Sequence, residues 1–339
     1  MKKKIERKSN SRKSVLLLLL LTVFLVVSSY AWFTSNQTVS VATLDVKVEA
    51  KNGLQISTDG ANWKSVIQKT DITSVNYTGN RNQLPPTLEP VSTGGIVDTS
   101  KGTLRMFYGL VEDNILGDYI LTSTREEETR GITGKFIAFD LYFQVNEDTD
   151  VYLGENAMVS FIGASSKGME NAARVAFVYE GNQAPGVGTA ATAQAFAGAT
   201  DSTVYIWEPN FDVHSPAAVT HANTTYGITT QLAGATALTI DGLNDVITAA
   251  EDVEVGDANT SHTTSTIAAK FETVIPAYKT AANYNSASVL QNIHLFELKA
   301  GITKFKIYMW VEGQDVDCEN NASGTDIAFD LEITINEDR

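Results

Sequence analysis

Gly134-Lys135-Phe136-Ile137-Ala138-Phe139-Asp140-Leu141-Tyr142-Phe143-Gln144-Val145-Asn146-Glu147-Asp148 returns 190 residues later as Gly324-Thr325-Asp326-Ile327-Ala328-Phe329-Asp330-Leu331-Glu332-Ile333-Thr334-Ile335-Asn336-Glu337-Asp338, with nine of fifteen positions identical. In each copy every second residue is apolar: Ile137, Phe139, Leu141, Phe143 and Val145 in the first, Ile327, Phe329, Leu331, Ile333 and Ile335 in the second. A period of two puts those side chains on one face of a β-strand, so each copy reads as a sandwich strand with one side in the core. Two copies at so long a period do not make a solenoid. They place one strand in each of two lobes, or both strands in one large sandwich.

The same alternation runs outward from these strands. Val175, Phe177 and Tyr179, then Val204 and Ile206, then Phe305, Ile307, Met309 and Val311 each mark a strand. Val39 and Val41 are odd-numbered, whereas Leu44, Val46 and Val48 are even, so a β-bulge or hinge is expected between them. Asn52-Gly53 is a two-residue hairpin signal leading into Leu54-Gln55-Ile56. Residues 80–100, with Pro85-Pro86, Pro90 and Gly94-Gly95, read as a long loop, and Thr124–Arg130 as at most a short charged helix. Residues 183–270 are rich in Ala, Thr and Gly and poor in large apolar residues, which suits an insertion decorating one end of the sandwich, where recognition would sit. The fold class is all-β: an antiparallel sandwich of one or two lobes preceded by a hydrophobic N-terminal helix. It divides as 1–31, a signal peptide or anchor; 32–182, sandwich; 183–270, insertion; and 271–339, strands that complete the sandwich.

The N-terminus directs the chain out of the cell. Residues 1–13 hold seven Lys/Arg and one Glu, and the apolar run Val15–Val27 follows, then Ser28-Ser29-Tyr30-Ala31. A basic start, a short apolar core and small residues at Ser29 and Ala31 describe a secretory signal cleaved after Ala31. Counted through Phe33 the uncharged stretch approaches the ~20 residues of a membrane span, so an uncleaved single-pass anchor with its basic end inside is the alternative. Either way the body is extracellular or at the cell surface.

Ser29-Tyr30-Ala31-Trp32-Phe33, a polar stretch, and Thr43-Leu44-Asp45-Val46 resemble the start of TasA/camelysin-type proteins. The resemblance covers about 25 residues. It implies export by a dedicated signal peptidase, a jelly-roll-like sandwich, and assembly with itself or homologous subunits into biofilm-matrix fibres at a Gram-positive-type surface. The chain departs from that family in being longer and more acidic, and in its Ala/Thr-rich region. After cleavage, residues 32–41 would be an extended β-prone strand, with Trp32, Phe33, Val39 and Val41 as its apolar contacts. Such a strand can complete a neighbour's sheet, and a head-to-tail contact of that kind does not close. The alternative is a strand that packs in its own sandwich, within an anchored surface adhesin that binds glycan or protein.

Composition removes several other functions. Net charge is −15, and outside residues 1–13 the chain has 18 Lys/Arg against 39 Asp/Glu, so phosphate backbones would repel it and nucleic acid is no partner. A single cysteine, Cys318, excludes an internal disulfide, and it reads as a half-buried inert thiol. His214, His221, His262 and His294 lack the spacing of a zinc peptidase, and no nucleophile elbow or phosphate loop occurs, so no catalytic residue is assigned and the chain reads as a non-enzyme. No cofactor is expected. The one weak metal candidate is calcium on Asp315, Asp317 and Glu319, where alternating carboxylates follow a strand, although the spacing is not that of an EF-hand. Trp63, Trp207 and Trp310 are candidates for a sugar-stacking platform, Trp310 on an outward face with Lys304, Lys306 and Tyr308.

Overall fold

A computed structural model describes residues 38–335 apart from 49–52, 94, 114–118, 155, 201–202, 208, 210–214, 219, 221–292, 314, 316 and 319–323. In chain order the strands are β1 (Val39–Val48), β2 (Gln55–Ser57), β3 (Val66–Gln68), β4 (Thr87–Leu88), β5 (Val97–Asp98) and β6 (Thr103–Leu104). Then come β7 (Met106–Asp113), β8 (Tyr119–Glu126), β9 (Ile137–Val145), β10 (Thr149–Leu153) and β11 (Met158–Ile162). The last are β12 (Ala173–Gln183), β13 (Val204–Trp207), β14 (Ile293–Leu298), β15 (Gly301–Val311) and β16 (Thr325–Ile335). Two short helices, α1 (Lys69–Ser74) and α2 (Ala190–Gln194), join them.

Two sheets face each other. One runs β14-β10-β16-β1-β3, with β11 also beside β16 and β4 beside β1; the other runs β13-β12-β15-β9-β2. The echoed strands, β9 and β16, lie in opposite sheets of this one sandwich. Their apolar faces meet in a common core with β1, β12 and β15, where Phe139, Phe143, Phe329 and Ile333 are wholly buried. Burying side chains of this size stabilises by about 1.5–3 kcal/mol each, which is what fixes the register of both strands.

Among the described residues, every strand pairing in the two large sheets is antiparallel except one. The first strand, β1, lies parallel to the last, β16, from Val39↔Thr325 to Val48↔Ile333. The register shifts between Val41 and Thr43, where the parity of the sequence changes. That extra residue lets Val39 and Val41 share the inner face with Leu44, Val46 and Val48, and all five are buried.

Three local expectations are corrected, those on the β1–β2 connection, on residues 124–130 and on Trp310. Asn52 lies outside the described residues and Gly53 has a positive φ of 76°; β2 pairs with β9 while β1 pairs with β16, so these two strands lie in different sheets and form no hairpin with each other. Thr124–Glu126 lie in β8, paired with β7, because the tertiary ladder overrides the helical bias of three successive glutamates. Residues 80–100 are loop with short pairings at β4 and β5. They cross the outer face of the second sheet, where Gln83 bridges Ala138 and Val91 bridges Glu312. Under that cover a second apolar cluster gathers Phe136, Ala138, Val178, Met106, Tyr308 and Trp310. Trp310 therefore does not face solvent: it is wholly buried, with its Nε1 donating to Glu312 at 3.1 Å. Within the stretch read as an insertion, residues 204–207 form β13, the edge strand beside β12. Residues 1–37, including the hydrophobic segment, lie outside the described residues, among which no helix is long and apolar enough to cross a membrane.

Candidate functional site

Two places in this sandwich carry chemistry. The first is the seam between β1 and β16. Val39 and Val41, expected to serve as assembly contacts, sit here in the chain's own core. Trp32, Phe33 and the cleavage residue Ala31 lie outside the described residues. The other side of β1 is paired only in part, by β3 at residues 45–47 and by β4 at residues 39–40, with the Val41 amide donating to Pro86 O at 3.2 Å. Lys47 lies across the seam, 3.6 Å from Asp330.

The second place is a polar cleft of about 200 Å³ on the covered face of the second sheet. Its floor comes from three neighbouring strands: Asp140 on β9, Lys304 and Lys306 on β15, and Glu180 on β12. Residues 194–197, which leave α2, close one side, while exposed Arg81 and Lys101 stand at the rim. Gly181 lets this roof approach, since a Cβ there would meet the Phe196 ring at 2.8 Å.

The floor is an ion network almost out of water. Lys304 Nζ lies 3.4 Å from Asp140 and 3.5 Å from Glu180, and donates to Phe196 O at 2.9 Å and Gln194 O at 3.3 Å. Four oxygens thus surround one ammonium and tie the roof to the sheet. Lys306 Nζ lies 2.8 Å from Glu128 Oε2 and 3.9 Å from Asp140 Oδ1. Tyr77 donates to Asp140 Oδ2 and meets the Tyr142 hydroxyl at 3.0 Å, and Tyr308 donates to Glu128 while accepting from the Leu104 amide at 3.0 Å. Asp140 Oδ1 makes no hydrogen bond among the described residues.

Burial and charge set the protonation of these groups. Burial pushes Glu180 up to about 7, against the pull of Lys304, with Asp140 adding repulsion. Burial works against the Lys306 ammonium, but Glu128 and Asp140 outweigh it and hold its pKa above the usual lysine value. Tyr77, Tyr142 and Tyr308 are all driven upward, first by burial and then by the adjoining carboxylates, so they stay neutral donors.

The other expected site residues do not converge. Asp315 is fully buried and paired with Arg174 at 2.6 Å, and its second oxygen accepts the Asp317 amide at 2.8 Å. Asp317 Oδ1 in turn accepts the Ser215 amide at 2.8 Å. Glu319 lies outside the described residues, among which no group of three His, Cys, Asp or Glu is disposed to hold a metal. Cys318 is buried in the main core. Trp207 is buried like Trp310, and Trp63 is half-buried. The cleft was missed in the sequence because its members are spread over residues 77–306; the available signal was Lys304 and Lys306 at alternate positions of a strand that is apolar or aromatic from Ile307 to Val311. Compared with protein-family models, curated proteins and solved structures, the chain has no match.

Proposed function

We propose that this chain is an exported, non-enzymatic structural subunit that assembles into a surface or matrix fibre by exchange of its N-terminal strand. The observation that carries the reading is the parallel placement of β1 beside β16. The strand belongs to the N-terminal end of the body and is joined to its partner by no turn, yet it contributes five buried side chains. An identical strand from a second copy would make the same ladder and fill the same core, which is the low-cost route to subunit exchange. Exchange in one direction along a row of copies leaves no closed ring and yields a filament.

The resemblance of Ser29–Phe33 and Thr43–Val46 to TasA/camelysin-type proteins supports the same reading, with a jelly-roll-like winding, signal-peptidase cleavage after Ala31 and an extracellular location. Before cleavage, Val15–Val27 would hold the chain in the membrane. The anchored adhesin is less well supported, because two of the three tryptophans considered for a sugar platform are buried.

The test uses Ser40 and Asp326, which face each other across the seam. The chain beginning at Trp32 and carrying Ser40→Cys and Asp326→Cys is assembled, oxidised and run without reductant, beside electron microscopy of the same sample. Filaments that give a covalent ladder of multimers support strand exchange. Dispersed monomers, or filaments whose chains migrate singly with the cross-link inside each, refute it.

A further inference from the structure

We propose that Lys306 and Asp140 form an intramolecular amide bond, with Glu128 moving the protons and Tyr77 stabilising the oxyanion. The inference stands on the cleft geometry and is independent of fibre assembly. Lys306 and Asp140 are directly opposed across the antiparallel β15–β9 ladder. The side chains of Lys306, Asp140 and Glu128 are only 5%, 4% and 3% exposed, so bulk water does not compete for them. Four roles are filled at one point. The nucleophile is Nζ of Lys306, 3.9 Å from Asp140 Oδ1, and the proton acceptor is Glu128 Oε2, in ion-pair contact with that Nζ at 2.8 Å though outside hydrogen-bond geometry. The Tyr77 hydroxyl already donates to Asp140 Oδ2, where negative charge would gather on attack at Cγ. Asp140 Oδ1 makes no hydrogen bond among the described residues, which leaves it as the departing oxygen.

The step balances without any further reactant. Glu128 takes one proton from the Lys306 ammonium, and the amine lone pair forms the N–C bond at Asp140 Cγ. Glu128 passes that proton to Oδ1 and then relays a second from the attached nitrogen. The Cγ–Oδ1 bond breaks with its electron pair on oxygen, one water leaves, and Glu128 is again a carboxylate. The amide keeps one hydrogen on nitrogen. The cleft that Lys306 and Asp140 line gives the water a way out. Holding the groups on opposed strands supplies the proximity that makes such a condensation effectively unimolecular. Lys304 is the poorer nucleophile because two carbonyls and two carboxylates already surround its Nζ. Its charge, 3.4 Å from Oδ2, adds to the oxyanion site.

Intact-mass spectrometry of the full folded chain tests this directly. The expected mass is about 18 Da, one water, below that of the chain with the N-terminus actually present, and proteolysis should yield a branched peptide joining Lys306 to Asp140. Lys306→Arg and Asp140→Ala should each restore the full mass, while Lys304→Arg should keep the deficit. A wild-type chain of full mass overturns the proposal, as does a deficit that survives in Lys306→Arg. The wild-type mass and its branched peptide decide the question even if a variant fails to fold.

Discussion

Glu180 should make this protein less stable at alkaline pH, by an amount that can be worked from its surroundings. It sits 5% exposed beside Lys304, and burial raises its pKa from 4.5 to about 7. At about 1.4 kcal/mol for each tenfold change in proton affinity, that displacement is worth roughly 3 kcal/mol. The sign follows from which state holds the proton. Below pH 4.5 Glu180 is neutral whether the chain is folded or not, and its contribution is fully present. Between about 4.5 and 7 the unfolded chain releases the proton while the folded chain keeps it, so stability falls as pH rises, and the loss is complete above about 7. Glu180→Gln keeps an oxygen near Lys304 but cannot ionise. Urea unfolding of the two chains at pH 4, 5, 6, 7 and 8 should give a difference near zero at pH 4 that is about 0.8 kcal/mol at pH 5 and grows to roughly 3 kcal/mol in favour of the variant at pH 8. A difference that does not change with pH, or a variant less stable than the parent at pH 8, would refute the reasoning.

Three further outcomes follow from the core and its buried pair. Leu44, 2% exposed at the centre of β1, should cost about 2–5 kcal/mol as Leu44→Ala, read from the shift in the urea midpoint; a loss under ~1 kcal/mol would mean that β1 does not sit in the core in solution. Arg174→Met leaves Asp315 buried without its guanidinium and should lose about 3–5 kcal/mol, most of it regained when Asp315→Leu is added; a double variant as unstable as the single one would show that the ion pair is not the source. Cys318 is wholly buried, so a thiol reagent should label the folded chain only at the rate of unfolding and label it at once in denaturant, and prompt labelling of the native chain would contradict its position.

Much of the sandwich was legible because its strands alternate with period two. Phe139 and Phe329 declare their buried faces, and the parity change after Val41 announces the bulge. The single-sandwich arrangement was not legible, since alternation says which face is buried but not against which strand it packs. The outer face of the second sheet misled for a different reason. Lys304, Lys306, Tyr308 and Trp310 alternate like a solvent face, and it is the cover supplied by residues 82–108, Glu128 and residues 194–197 that turns them inward. Tertiary cover of this kind leaves a local pattern unchanged, so a charged strand face reads the same whether water or a buried carboxylate lies opposite. The cleft follows the same rule: in the sequence Asp140 reads only as a polar position on a strand, and its meaning depends on Glu128, Tyr77 and Lys306 arriving from elsewhere.

The pairing of β1 with β16 also sets a timetable. Residues 39–48 emerge from the ribosome nearly a full chain length before residues 325–335. At about 5–20 residues per second, a separation of roughly 280 residues is a wait on the order of 15–60 s. Through that interval β1 has its five apolar side chains but not the strand that completes its ladder. Contacts this distant in sequence also form late and slowly in free folding. Residues 325–335 therefore act as the latch of the sandwich: until they are in place, β1 lacks the strand that completes its ladder and the seam stays open.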